Sequence, residues 1–176
     1  MAIQIGAKPD SGFDDPLGML KDCHRRIENF LGILCLVVER AGGRRLTEEE
    51  RDAVQAALRY FHQGGLRHTA DEELSLFPRL RACAPGSLEE IHRLENDHRH
   101  ANQLHQSVEH LYLHWIASNL LEPLEMQQLL TETGQLKELY GEHIRVEETI
   151  VFPHAAQVLD IPTIAAIGSE FRSRRQ

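Results

Sequence analysis

Two stretches of this chain repeat an arrangement of groups that can grip a cation. His68-Thr69-Ala70-Asp71-Glu72-Glu73 runs on through Leu74-Ser75-Leu76 to Phe77-Pro78. His143-Ile144-Arg145-Val146-Glu147-Glu148 runs on through Thr149-Ile150-Val151 to Phe152-Pro153. Both read His-x-x-x-Glu-Glu-x-x-x-Phe-Pro. On an α-helix, residues four apart lie about 40° from one another around the axis and about 6 Å along it. One helix can therefore aim an imidazole and a carboxylate at the same small cavity. A single pair of this kind commonly decorates a solvated face. A second copy with Phe-Pro in register has no such reason to exist.

The repeat extends upstream. His24-Arg25 lies 44 residues before His68, and His98-Arg99 lies 45 before His143, with Asp22 or Asp97 just ahead of each. The chain is thus two helix pairs, each offering one histidine from its first helix and a His/Glu pair from its second. Packed antiparallel about a pseudo-twofold axis, they can bring four histidines and two carboxylates to one level. Two carboxylates can bridge two metal ions while imidazoles complete the outer coordination. Imidazole with carboxylate suits Fe, Mn or Zn, and the lack of cysteine at matching positions argues against an iron–sulfur cluster.

The elements that must position these groups are legible from caps and periodicity. Asp15-Pro16 opens a helix with an N-cap carboxylate and proline at the first position. Leu17, Leu20, Ile27, Leu31, Leu34 and Val38 carry it at helical spacing to Arg40, and Ala41-Gly42-Gly43 stops it. Thr47-Glu48-Glu49-Glu50 is a capping box for a second helix. Gly64-Gly65 weakens that helix by about 1 kcal/mol per glycine relative to alanine, and Pro78 is expected to kink or end it. After a turn at Ala84-Pro85-Gly86, Ser87-Leu88-Glu89-Glu90 opens a third helix that continues to about Ser118. Glu122-Pro123 begins a fourth, expected to run to Pro153. The prediction is an all-α, antiparallel four-helix up-and-down bundle over residues 15–160. A flexible N-terminal arm precedes it over 1–14, and a short tail over 161–176, with room for a helix after Pro162, follows.

Composition narrows the classes. A chain of 176 residues with net charge −8 suits one bundle domain and lacks the basic face a duplex nucleic-acid binder needs. The terminal Arg172, Arg174 and Arg175 read as a solvated tail. Three cysteines without CxxC pairing fit a reducing compartment. No leader-like segment and no apolar run near 20 residues is visible. The expectation is a soluble cytoplasmic protein without membrane or nucleic-acid partners; the oligomer is open, as is an accessory protein partner.

With motif order His, His-x-x-x-Glu, His, His-x-x-x-Glu on four helices, residues 15 to 155 resemble the hemerythrin-like (HHE cation-binding) family. The resemblance implies an oxo- or hydroxo-bridged centre of two Fe ions between the helices, for which Zn or Mn could substitute. Carried over residue by residue, it implies His24, His68, Glu72, His98, His143 and Glu147 as metal ligands, with Glu72 and Glu147 bridging. Hemerythrins proper use a fifth histidine one turn after the first ligand of the third helix. Asn102 stands there in this chain, leaving water or Glu28, one turn after His24, to take the place.

The other polar candidates carry less. Glu73 and Glu148 are rotated about 100° from the ligand direction, either as acceptors behind the histidines or as surface charge, with surface charge the expectation. His105 shares the face of His98 but lies about 10 Å further along, a core or supporting residue. His62, His92, His100, His110, His114 and His154 read as exposed or off-site. Tyr140, one turn before His143, and Gly65, at the matching position before His68, could frame a pocket beside the centre. The functional expectation is a protein that binds or senses oxygen, peroxide or nitric oxide at a di-iron centre. The alternatives are an enzyme of the di-iron oxidase or peroxidase type and an iron-responsive interaction protein.

Overall fold

The computed structural model describes residues 10–83 and 88–176, so the expected turn at 84–86, the Ser87 cap and arm residues 1–9 lie outside it. Within the described residues every regular element is helical. Helix α1 (Pro16–Ala41) starts where Asp15 accepts a hydrogen bond from the Gly18 N–H at 2.9 Å, and ends at Gly42, whose φ of 55° is left-handed. The second rod starts at the Thr47/Glu50 capping box and comprises α2 (Glu48–Tyr60), α3 (Leu66–Asp71) and α4 (Phe77–Cys83). Helix α5 (Leu88–Ser118) is the third rod. The fourth comprises α6 (Pro123–Val146) and α7 (Phe152–Val158). Helix α8 (Ile161–Ser173), capped by Asp160, occupies the expected tail and packs on α1 and on the second rod.

At the Phe-Pro steps, where the sequence predicts a kink or an end at Pro78 and an end at Pro153, neither rod stops. Each is widened instead into a π-helical turn, Glu72–Leu76 in one and Glu147–Val151 in the other. In the two turns, the N–H of Phe77 reaches the carbonyl of Glu72, and that of Phe152 the carbonyl of Glu147, five residues back. A proline in an ordinary helix collides with the carbonyl four residues behind it and offers no N–H. The extra residue of a π turn takes up that mismatch, so helix continues to Cys83 and Val158. Gly64-Gly65 marks a further π turn, Phe61–Gly65, which joins α2 to α3.

Apolar residues fill the bundle in two layers. One holds Leu34, Val38, Val54, Leu104, Tyr112 and Trp115 among others. The second holds Leu20, Phe77, Leu80, Ile91, Phe152 and Phe171 among others. Along α1 the first layer begins at Ile27 and the second ends at Leu20; along α5 the corresponding residues are Ala101 and Leu94. His24 and His98 fall in these gaps. A polar level is thereby flanked on both sides by predominantly apolar layers.

Candidate metal centre

The six residues named from the sequence as ligands meet at that level. His24 comes from α1, His68 from α3, Glu72 from the π turn after it, His98 from α5, His143 from α6 and Glu147 from the second π turn. All six are buried, Glu72 and Glu147 completely. Side-chain atoms of His24, His68, Glu72 and Glu147 lie within 4.8 Å of one another, as do those of Glu72, His98 and His143.

The histidines form two pairs. His24 and His68 have ring centroids 5.0 Å apart, and His98 and His143 4.7 Å apart. The carboxylates join the pairs. Glu72 Oε1 lies 3.3 Å from Nε2 of His68, one turn behind it, while its Oε2 lies 3.3 Å from Nε2 of His98 in the other half. Glu147 Oε2 lies 3.3 Å from Nε2 of His143 and 3.0 Å from Nε2 of His24. Each carboxylate therefore reaches one histidine of its own helix pair and one of the opposite pair.

Eight of these atoms, the four Nε2 nitrogens and the four carboxylate oxygens, are buried with no hydrogen-bond partner among the described residues. Leaving one buried polar atom unsatisfied costs roughly 1–3 kcal/mol. Eight converging on one point are a donor set that a cation satisfies, and two imidazole pairs sharing two carboxylates fit two ions. Burial and the mutual charges of the cluster shift the titration of its members. Burial first, and the Glu147 charge second, push Glu72 well above the ordinary carboxylate range. Burial also opposes the charge on Glu147, but His143 and His24 outweigh it and hold the carboxylate well below that range. Burial pulls His143 down, yet Glu147 and then Asp97 raise it to about 9. Burial, reinforced by the neighbouring imidazoles, holds His68 well below its usual value.

Glu73 and Glu148 stand behind the histidines and are not free surface charge as expected. Glu148 Oε1 is 2.8 Å from Nδ1 of His24, and Glu73 Oε1 is 2.8 Å from Nδ1 of His98. A carboxylate on Nδ1 keeps the proton there and turns the Nε2 lone pair inward, the tautomer a metal ligand needs. Asp97 lies 3.6 Å from Nδ1 of His143. Asp22, its sequence counterpart, is turned to Arg25 and the Ser11 N–H.

Two further expectations change. Glu28 is exposed and belongs to neither group of converging side chains, so it does not fill the place left by Asn102; Ile27 takes the inward position. Arg174 and Arg175 are not solvated: both grip Asp71, a carboxylate with no exposed surface. Asp71 was not singled out in the sequence. The available signal was its position three residues after His68, on the buried face of the same helix.

A cavity of about 490 Å³ opens beside the centre, lined by Phe61, Gly65, His98, Asn102, His105 and Tyr140 among others. Tyr140 Oη and His105 Nε2 are 3.1 Å apart. Burial lowers His105 to about 4 and raises the Tyr140 phenol, so both are neutral near pH 7. No helix of the described residues is long and apolar enough to cross a membrane.

Comparison with known proteins agrees with this site. The Hemerythrin HHE cation binding domain matches residues 15–155, which include all six converging residues. An uncharacterized protein of Haemophilus influenzae is 25% identical over 173 residues, covering 93% of this chain and 92% of that one.

Proposed function

This chain belongs to the hemerythrin HHE cation-binding family, and from that premise we propose that it holds two iron ions and uses them to bind or sense oxygen, peroxide or nitric oxide. The observation that carries the reading is the convergence of four imidazole nitrogens and four carboxylate oxygens, all buried and without protein partners. His24 and His68 would hold one ion, His98 and His143 the other, with Glu72 and Glu147 shared between them. Bound iron would supply the electrons that oxygen or peroxide takes up. The protein's own groups do the rest. Glu148 and Glu73 fix the His24 and His98 tautomers, the two apolar layers exclude bulk water, and the cavity beside Asn102 gives a small molecule its approach.

One observation favours a second, catalytic reading. Reduction of oxygen or peroxide consumes protons, so a catalytic site needs a hydrogen-bonding group that leads them in. Here the Tyr140 hydroxyl, paired with the neutral His105, lines the cavity. Such a neutral pair can hydrogen-bond to an oxygen atom being reduced and orient the cavity water that supplies its proton.

Anaerobic purification followed by metal analysis and an optical spectrum, before and after air, tests the main reading. Two irons per chain and a charge-transfer band appearing on oxidation support it. Zinc in stoichiometric amount, or no metal retained, sinks it. His68→Ala and His143→Ala should each lose metal while keeping the helical circular-dichroism signal. Stopped-flow mixing with peroxide separates the two readings. A band that persists and reverses indicates binding, whereas decay with turnover, slowed in Tyr140→Phe, indicates catalysis.

A further inference from the structure

The family match ends at residue 155, and α8 lies beyond it, yet the end of this helix grips the segment that carries Glu72. Arg174 Nε donates to Asp71 Oδ1 at 2.7 Å and Arg175 donates to Oδ2 at 2.5 Å. Arg174 also donates to Ser75 Oγ, and the Ser75 hydroxyl donates to Glu170 of α8. Arg79 closes the ring, donating to Glu170 at 2.7 Å and to the Ser75 carbonyl at 2.8 Å. Asp71 and Ser75 bracket Glu72, one immediately before it and one three residues after it within its π turn. All three are completely buried.

Among the described residues, the second half of the molecule has no such clasp. Val146 stands at the position matching Asp71 and lies in the apolar layer with Val151 and Phe152. Asp71 could not be left in that setting alone, because a buried carboxylate without partners is severely destabilising. Its two guanidinium partners come from the residues immediately after α8.

We propose that Arg174 and Arg175 are positioning residues for Glu72, so that the C-terminal helix is a working part of the metal centre and not an appendage to it. The proposal rests on the reading that the Glu72/Glu147 cluster holds metal. Asp71 and Ser75 are held on either side of Glu72, which restricts how the turn that carries its carboxylate can rotate. Glu72 lies between His68 and His98, so a turn free to rotate there would weaken the grip of both histidine pairs on their ions. Partners bonded directly to metal ligands typically change affinity about 10–100-fold when removed; these arginines act one contact further out, so the lower end of that range is expected.

The test uses the full chain with iron(II) under anaerobic conditions, titrated against a chromophoric chelator, with thermal unfolding followed in parallel. Arg174→Ala/Arg175→Ala should bind iron at least about tenfold more weakly than the unsubstituted chain while retaining its helical content. Adding Asp71→Val copies the residue of the other half, so it removes the orphaned charge and restores the melting temperature. Affinity should remain low in that triple variant, because the guanidinium clasp on Asp71 and the Arg174 contact to Ser75 are still missing while Glu170 and Arg79 alone hold the turn. Wild-type affinity in the double variant, or full recovery of affinity in the triple variant, overturns the proposal. Should the double variant fail to fold, the triple variant alone decides. Failure of the unsubstituted chain to bind iron at all instead strikes the functional reading beneath it.

Discussion

The carboxylate of Glu148 sits 2.8 Å from Nδ1 of His24, a residue 124 positions earlier in the chain. Glu73 and His98 repeat the contact at 2.8 Å in the opposite sense. Both acceptors lie one residue past a carboxylate that faces the centre, so one helical turn aims two carboxylates at the same partner histidine, one at each ring nitrogen.

Replacing either acceptor should therefore loosen metal without loosening the fold. Glu148→Gln and Glu73→Gln keep the volume but offer an amide that binds Nδ1–H more weakly. Each should lower iron(II) affinity by about 10- to 100-fold. Chelator competition measures the change; unaltered affinity would show that the histidines need no support.

Metal uptake should release protons. His143 is raised to about 9, with Glu147 and Asp97 reversing the effect of burial, so it is charged at pH 7 in the metal-free protein. A ligating imidazole must be neutral, and the displaced proton must leave. A weakly buffered indicator assay at pH 7 should register release on adding metal, and affinity should fall as the pH is lowered. Proton-neutral uptake would remove His143 from the ligand set.

His105 should tie stability to acid. Burial lowers it from 6.5 to about 4, so between those values the unfolded chain binds the extra proton and the folded chain does not. Its contribution is complete above about pH 6.5 and is lost as the pH falls through about 4. At 1.36 kcal/mol per unit the effect is at most roughly 3 kcal/mol. Urea titrations across pH 4–7 should show a shallower slope for His105→Gln than for the unsubstituted chain.

Gly168 of α8 should not tolerate a methyl group. A Cβ there would lie 1.9 Å from the carbonyl oxygen of Phe13, a backbone atom that cannot step aside cheaply. Arg172 stacks on the Phe13 ring at 5.0 Å, so the same contact holds residues 10–14 to the C-terminal helix. Gly168→Ala should destabilise the protein by about 1–3 kcal/mol, read as a fall in melting temperature.

Much of the site was legible because four-residue spacing on a helix needs only the helix to be present. His24, His68, Glu72, His98, His143 and Glu147 follow from the repeat, and the fold brings all six together. The places of Glu73 and Glu148 are not legible in this way, because a 100° rotation from the ligand direction is as compatible with solvent as with a neighbouring helix. In a four-helix bundle that rotation leads to the neighbouring rod, where the opposite half's histidine waits. The π turns were hidden for a different reason. Proline signals that the ordinary hydrogen-bond ladder fails at Pro78 and Pro153, but not whether the chain stops or widens. Asp71 and its arginines depend on a contact more than 100 residues long, which no local pattern encodes.

The crossed carboxylates also determine what each half of this molecule can do alone. Each helix pair owns two histidines but needs a carboxylate from the other pair to face one of them, Glu147 for His24 and Glu72 for His98. A single copy of either half could not assemble the full donor set as a separate polypeptide. Two such fragments expressed together would recognise each other through the vacancy each leaves, with the cation acting as the rivet. The centre is in that sense the joint of the molecule, and the two halves of the chain are its obligate partners.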